Sequence, residues 1–198
     1  MHMFCQLLIY DIVYTLHHMK YSQIFLKTSK ESPADETSKN ADLLIRAGYI
    51  HKVMAGVYAF LPLGLRVLNN ISEIIRQEMN DAGASELFLP ALAPKENWTK
   101  TDRWDQVDVL FKLPTSGKKE VALSPTHEEI ITPLVAHYLQ SPKDFPCLVY
   151  QIQSKFRNEP RAKSGILRGR EFLMKDAYSF HLNEEDFETC YTKMKDVY

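Results

Sequence analysis

The sequence predicts an α+β fold, an antiparallel sheet flanked by helices. Three observations predict it: one segment repeats apolar residues every three and four positions, two extended runs flank a loop, and an acid-rich opening begins a final helix. With 45% hydrophobic and 25% charged residues among 198, the chain has the balance of a globular domain and not of a disordered one. A chain of this length can bury a sizeable core as one domain.

The elements follow in order. Residues 1–18 are apolar, but Asp11 interrupts them, no Lys or Arg precedes them and no small-residue cleavage site follows. They suit neither a signal peptide nor a membrane span, and are expected to be a dispensable extension with Met19 as an alternative start. Residues 28–40 are polar, contain Pro33 and read as loop. Helical spacing begins near Ala41 and puts Leu43, Leu44 and Ala47 together ahead of Gly48. Residues 56–64, apolar but punctuated by Gly and Pro, read as a core-packing loop or as a subunit interface.

The clearest helix follows, with Leu68, Ile71, Ile74, Ile75 and Met79 on one stripe and Gly83 as its C-terminal cap. Residues 86–89 read as a short strand stopped by Pro90, which cannot donate into a ladder. Residues 120–123 read as another strand. Thr126, with Glu129 three residues on, fits a capping box, and Pro133 should either kink that helix or delay its start. In residues 147–157, Val149, Gln151, Gln153, Lys155, Arg157 and then Glu159 share one parity and hence one face of a strand. A second extended run, 168–180, lies beyond a loop at 160–167 carrying Gly165, so an antiparallel hairpin with a long connection is expected. Asn183 then caps a helix over 183–198, with Glu184, Glu185 and Asp186 in its first turn.

A formal net charge of −1 gives no global field for a polyanion, so any such contact needs a local cluster of cations. One exists: Arg157, Arg161, Lys163, Arg168, Arg170 and Lys175 face only Glu159 and Glu171 as acidic counterparts within that stretch. Guanidinium forks there could grip phosphate through paired hydrogen bonds, although a solvated cationic face has the same composition. Neither GxGxxG nor GxxxxGK[ST] occurs, so a nucleotide would be held by side chains on a sheet. A second constellation is Pro125-Thr126-His127-Glu128. A hydroxyl and a carboxylate two residues apart at a helix start could hold a small ammonium group, Thr126 as a plain cap being the alternative; His127 reads as structural. Cys5, Cys147 and Cys190 form no CxxC pair and have no histidine at metal spacing, which suggests a reducing, cytoplasmic setting and no metal site.

These pieces together resemble a class II aminoacyl-tRNA synthetase. The helix–strand–proline unit at 64–90 is similar to the family's motif 1, and FRNE (156–159) followed by RGREF (168–172) is similar to its motif 2. Residues 46–64, 124–129, 150–161 and 170–181 point to the bacterial-type prolyl branch, and the likeness runs from about Tyr21 to Tyr198. The resemblance implies a class II antiparallel sheet and a ligase that activates proline with ATP and transfers it to the 3′ end of tRNA(Pro). Thr126, Glu128 and Arg157 would hold proline. Arg157, Glu159, Arg168 and Phe172 would bind ATP, with Arg157 also the catalytic residue bridging the carboxylate and the α-phosphate. The loop at 160–167 would approach the tRNA. Mg²⁺ would accompany ATP. A cytoplasmic homodimer through the motif 1 region, without membrane contact, is also implied. Motif 3, the editing insertion and the anticodon-binding domain do not occur in the sequence, so residues 19–198 are expected to be the N-terminal part of the catalytic domain, inactive alone. Another class II synthetase (seryl or threonyl), or a non-catalytic paralogue acting as a binding protein, are the competing readings.

Overall fold

A computed structural model describes residues 20–34, 36–117, 119–162 and 164–198. The expected extension at 1–18, Cys5 and Lys163 therefore lie outside the described residues.

Helix α1 (Lys39–Arg46) ends at Gly48, whose φ of 74° lies in the left-handed region. Strands β1 (Ile50–Met54) and β2 (Val57–Phe60) then form an antiparallel hairpin. This corrects the expected loop at 56–64: Gly56, at φ 77°, makes the tight turn, and residues 57–60 satisfy their backbone against β1. Helix α2 (Pro62–Asp81) opens with a proline in its first turn and closes on Gly83 at φ 82°. The amides of Gly83 and Ala84 return to the carbonyls of Asn80 and Met79, which satisfies the last turn as expected. The apolar stripe of α2 divides: Ile75 and Met79 pack on Tyr150 and Ala84, whereas Ile71 and Ile74 stay 50% and 63% exposed.

Two three-stranded sheets follow. In the first, β3 (Ser85–Glu86) runs parallel to β7 (Cys147–Phe156), which pairs antiparallel with β8 (Glu171–Phe180) from Cys147↔Phe180 to Phe156↔Glu171. The strand expected over 86–89 is thus shorter and shifted. The Leu87 amide still bonds the Tyr150 carbonyl at 2.8 Å, and at Leu89 the Gln153 side chain takes over: its amide oxygen accepts from Leu89 N–H and its amide nitrogen donates to Leu89 C=O, both at 2.7 Å. A side chain replaces the neighbouring strand there, just before Pro90.

The second sheet has the order β4-β6-β5, all antiparallel, from β4 (Leu92–Pro94), β5 (Phe111–Pro114) and β6 (Glu120–Leu123). The short helices α3 (Lys95–Thr99) and α4 (Arg103–Gln106) cover it and bury Trp98 and Trp104 against Ala93, Leu110 and Ala122. Helix α5 (Glu128–Tyr138) packs Ile131 against Leu89 and Val149, joining the two sheets. The expected capping box is absent: His127 is the N-cap residue, and no side chain caps the helix. The helix also starts on time and runs through Pro133. Proline removes the amide that would have bonded the Glu129 carbonyl, and Asn97 Nδ2 donates to that carbonyl at 2.8 Å instead. Helix α6 (Glu184–Val197) begins as expected, with Asn183 accepting from the Asp186 amide at 2.9 Å.

Candidate active site

The site forms where the end of β7 meets the turn between β6 and α5. The Ser124 amide bonds Ala91 C=O at 2.9 Å, and its carbonyl accepts from Phe156 N–H at 3.3 Å. The turn at 124–127 is therefore stitched to both sheets. Arg157 follows directly on β7, and its Nη2 reaches the carbonyl of Pro125, adjacent to Thr126, at 3.5 Å. Arg157, some thirty residues on in the chain, thus lies against the turn that carries Thr126 and leads into Glu128. The Arg157 guanidinium also lies over the Phe172 ring, 5.3 Å from its centroid. Glu128 opens α5, where its carboxylate faces the positive end of the helix and lies 3.8 Å from Arg103 Nη1.

The remaining candidates gather on the connection between β7 and β8. Glu159 pairs with Arg168 at 3.0 Å, Arg168 being 58% exposed and Glu159 14%. Arg170 donates from Nε to the Glu159 carbonyl at 3.0 Å and from Nη1 to the Ala55 carbonyl at 3.2 Å. The Arg157 amide bonds the Arg170 carbonyl at 2.8 Å, closing the base of the connection. The far part of this connection rests on α1, where Asn40 Nδ2 donates to Ser164 C=O at 3.0 Å and Asn40 Oδ1 accepts from the Ile166 amide at 3.3 Å. Chemically, the arrangement offers guanidinium groups next to a carboxylate and an aromatic ring, beside a turn that carries a hydroxyl residue. It suits an anionic ligand with a polar, cationic neighbour.

Beneath these groups lies a network that the parity of β7 hinted at and the sequence did not single out. Gln151, Gln153 and Lys155 share the expected face but point inward, and Lys155 is fully buried. Its Nζ lies 2.7 Å from His127 Nδ1 and 2.9 Å from Asp176 Oδ1. Asp176 Oδ2 accepts from Gln151 Nε2 at 2.8 Å and from the Tyr178 hydroxyl at 2.5 Å. Tyr178 Oη in turn accepts from the His127 amide at 2.9 Å. An ammonium can only donate, so His127 Nδ1 is the acceptor, and Nε2–H donates to the Pro90 carbonyl 3.2 Å away. Burial and the adjacent Lys155 charge push the His127 pKa below its ordinary value. Burial likewise lowers that of Lys155, against the pull of Asp176. Burial and Asp176 raise that of the Tyr178 phenol. The available signal was cross-strand register: Lys155 and Asp176 share a face once Gln151 is set opposite Asp176.

Among the described residues no group of three or more His, Cys, Asp or Glu side chains converges as a metal would require. Glu159, the acid nearest the cations, is already paired with Arg168. Cys147 and Cys190 are free thiols.

Residues 111–198 match the family described as tRNA synthetase class II core domain (G, H, P, S and T). The chain is 50% identical over 181 residues to a proline–tRNA ligase of Geobacillus sp. (strain WCH70), covering 91% of this chain and 32% of that protein. A proline–tRNA ligase of Syntrophus aciditrophicus is 47% identical over 181 residues, with 91% and 31% covered. The chain therefore spans about a third of the length of the curated relatives it matches. Among solved structures, Giardia lamblia prolyl-tRNA synthetase in complex with prolyl-adenylate superposes with a TM-score of 0.73 at 23% identity, over 78% of this chain and 33% of that one. The Cryptosporidium parvum enzyme complexed with L-proline and AMP gives a TM-score of 0.70 at 19% identity, over 91% and 36%. The described residues have part of a class II synthetase fold.

Proposed function

We propose that this chain is the N-terminal part of the catalytic domain of a bacterial-type proline–tRNA ligase. The whole protein activates proline with ATP to give prolyl-adenylate, then transfers the prolyl group to the 3′ end of tRNA(Pro). The observation that carries this reading is the approach of Arg157 to the turn bearing Thr126 and Glu128, through the Pro125 carbonyl at 3.5 Å. An amino-acid subsite and a phosphate subsite must adjoin for adenylation, because the carboxylate of one substrate attacks the α-phosphorus of the other.

In this reading Thr126 and Glu128 bind the proline ammonium, and Arg157 touches both the carboxylate and the α-phosphate. Arg157 neutralises charge as it develops at phosphorus, and the fixed turn supplies orientation. Glu159 lines the adenylate pocket, Arg168 reaches the outer phosphates, and Phe172, already beneath Arg157, offers a face to adenine. Magnesium, carried in on the triphosphate, would neutralise further charge. The connection at 160–167 approaches the tRNA acceptor end. Pairing of two copies through the motif 1 region is supported by the exposed Ile71 and Ile74 of α2. No helix among the described residues is long and apolar enough to cross a membrane. The setting proposed for the whole protein is cytoplasmic.

ATP–pyrophosphate exchange across amino acids, on the reading frame that carries this chain through motif 3, tests the assignment. Exchange with proline is expected; exchange with serine or threonine and not proline rejects it. In that enzyme Arg157→Ala lowers adenylation on the order of 10²–10³-fold, as loss of a transition-state donor does. Unchanged exchange removes Arg157 from the mechanism.

A further inference from the structure

Lys155, Asp176 and Tyr178 form one hydrogen-bonded group around the buried His127, and it acts on the turn. We infer that Lys155, Asp176 and Tyr178 are positioning residues for the amino-acid subsite, holding the 125–128 turn in register with Arg157. The inference rests on the assignment of Thr126 and Glu128 to proline.

The geometry leaves His127 no freedom. Its amide is held by Tyr178 Oη at 2.9 Å, and its carbonyl accepts from the Ile130 and Ile131 amides at 3.0 and 2.8 Å. Both ring nitrogens are engaged, by Lys155 at 2.7 Å and by the Pro90 carbonyl at 3.2 Å. Every polar atom of the residue between Thr126 and Glu128 is thereby committed. A shift of the turn breaks several hydrogen bonds of the fully buried His127 together, which is costly. Tyr178 and Asp176 lie on β8, and Lys155 lies on β7 two residues before Arg157. The hairpin that bears the phosphate-binding arginine therefore also holds the turn. A charge as buried as Lys155 is a poor source of stability compared with an apolar side chain, and its use points to a demand for geometry.

Tyr178→Phe tests this by removing one oxygen from the enzyme that contains this chain. The His127 amide loses its acceptor, and the KM for proline in pyrophosphate exchange rises roughly tenfold while the KM for ATP stays within about twofold. Gln151→Met removes a more distant partner of Asp176, and moves the proline KM the same way by about threefold. This second variant keeps the test open should Tyr178→Phe not fold. An unchanged proline KM in both variants, or a parallel rise in both KM values, overturns the inference. Glu128→Gln is measured alongside. If Glu128→Gln raises the proline KM and the other two do not, the positioning role alone is wrong. If Glu128→Gln also leaves it unchanged, the proline subsite itself is misassigned, and the inference falls with it.

Discussion

Replacing Lys155 by methionine keeps an unbranched side chain, shorter by one atom, and removes its charge. In the folded protein this leaves Asp176, only 11% exposed at its side chain, without its cationic partner, and His127 Nδ1 without its donor. Breaking a buried pair from one side costs about 3–5 kcal/mol, because the remaining charge stays desolvated. With a urea m-value of about 2 kcal/mol/M for a chain of this size, the unfolding midpoint falls by about 2 M. Equilibrium urea unfolding of the 198-residue chain, followed by far-ultraviolet circular dichroism, measures it directly. Asp176→Asn and the double variant complete a cycle. Removing both charges should cost less than the sum of the single losses by at least about 2 kcal/mol, since neither charge is then stranded. A single-variant cost below about 1 kcal/mol, or simple additivity in the cycle, would show that the two groups are not a desolvated pair.

Two further outcomes follow. Asn97→Ala strands the Glu129 carbonyl and costs about 1–3 kcal/mol, whereas in a Pro133→Ala background, where residue 133 regains an amide for that carbonyl, the same change costs much less; chemical denaturation of the four species reads the coupling. The lowered pKa of His127 makes the unfolded chain bind the extra proton first, so stability is full above about pH 6.5 and falls as pH drops below it. In Lys155→Met, where the neighbouring positive charge is gone and Asp176 remains, that acid-side loss becomes smaller; urea midpoints between pH 5 and 8 measure both slopes.

Much of the architecture was legible because it rests on local chemistry. The α2 helix, the Gly83 cap and the Asn183 cap depend on residues a few positions apart, and the β7–β8 hairpin on two runs of strand composition either side of one loop; all appear where expected. Apart from the local β1–β2 hairpin at 50–60, the differences came where a distant group supplied what the local chain lacked. Residues 87–89 have the composition of a strand, yet after the Leu87 amide bonds Tyr150 C=O the Gln153 side chain takes the place of a neighbour at Leu89. Pro133 was expected to kink α5 or delay its start; the start is not delayed, and Asn97 bonds the carbonyl that the proline leaves free. Thr126 fits a capping box, yet the turn before α5 is fixed through His127.

The same division holds for the site. Sequence by itself determined which side chains can carry the chemistry: the arginines around 157–170, the hydroxyl of Thr126, the carboxylates of Glu128 and Glu159, and the ring of Phe172. It could not say that Arg157 sits beside Pro125, or that a lysine from one strand and an aspartate from the next would be buried together under the turn. Charge and hydrogen-bonding capacity belong to the residue and can be read from its name. Desolvation and register belong to the packed arrangement, and exist only once β7, β8 and α5 have closed around Lys155.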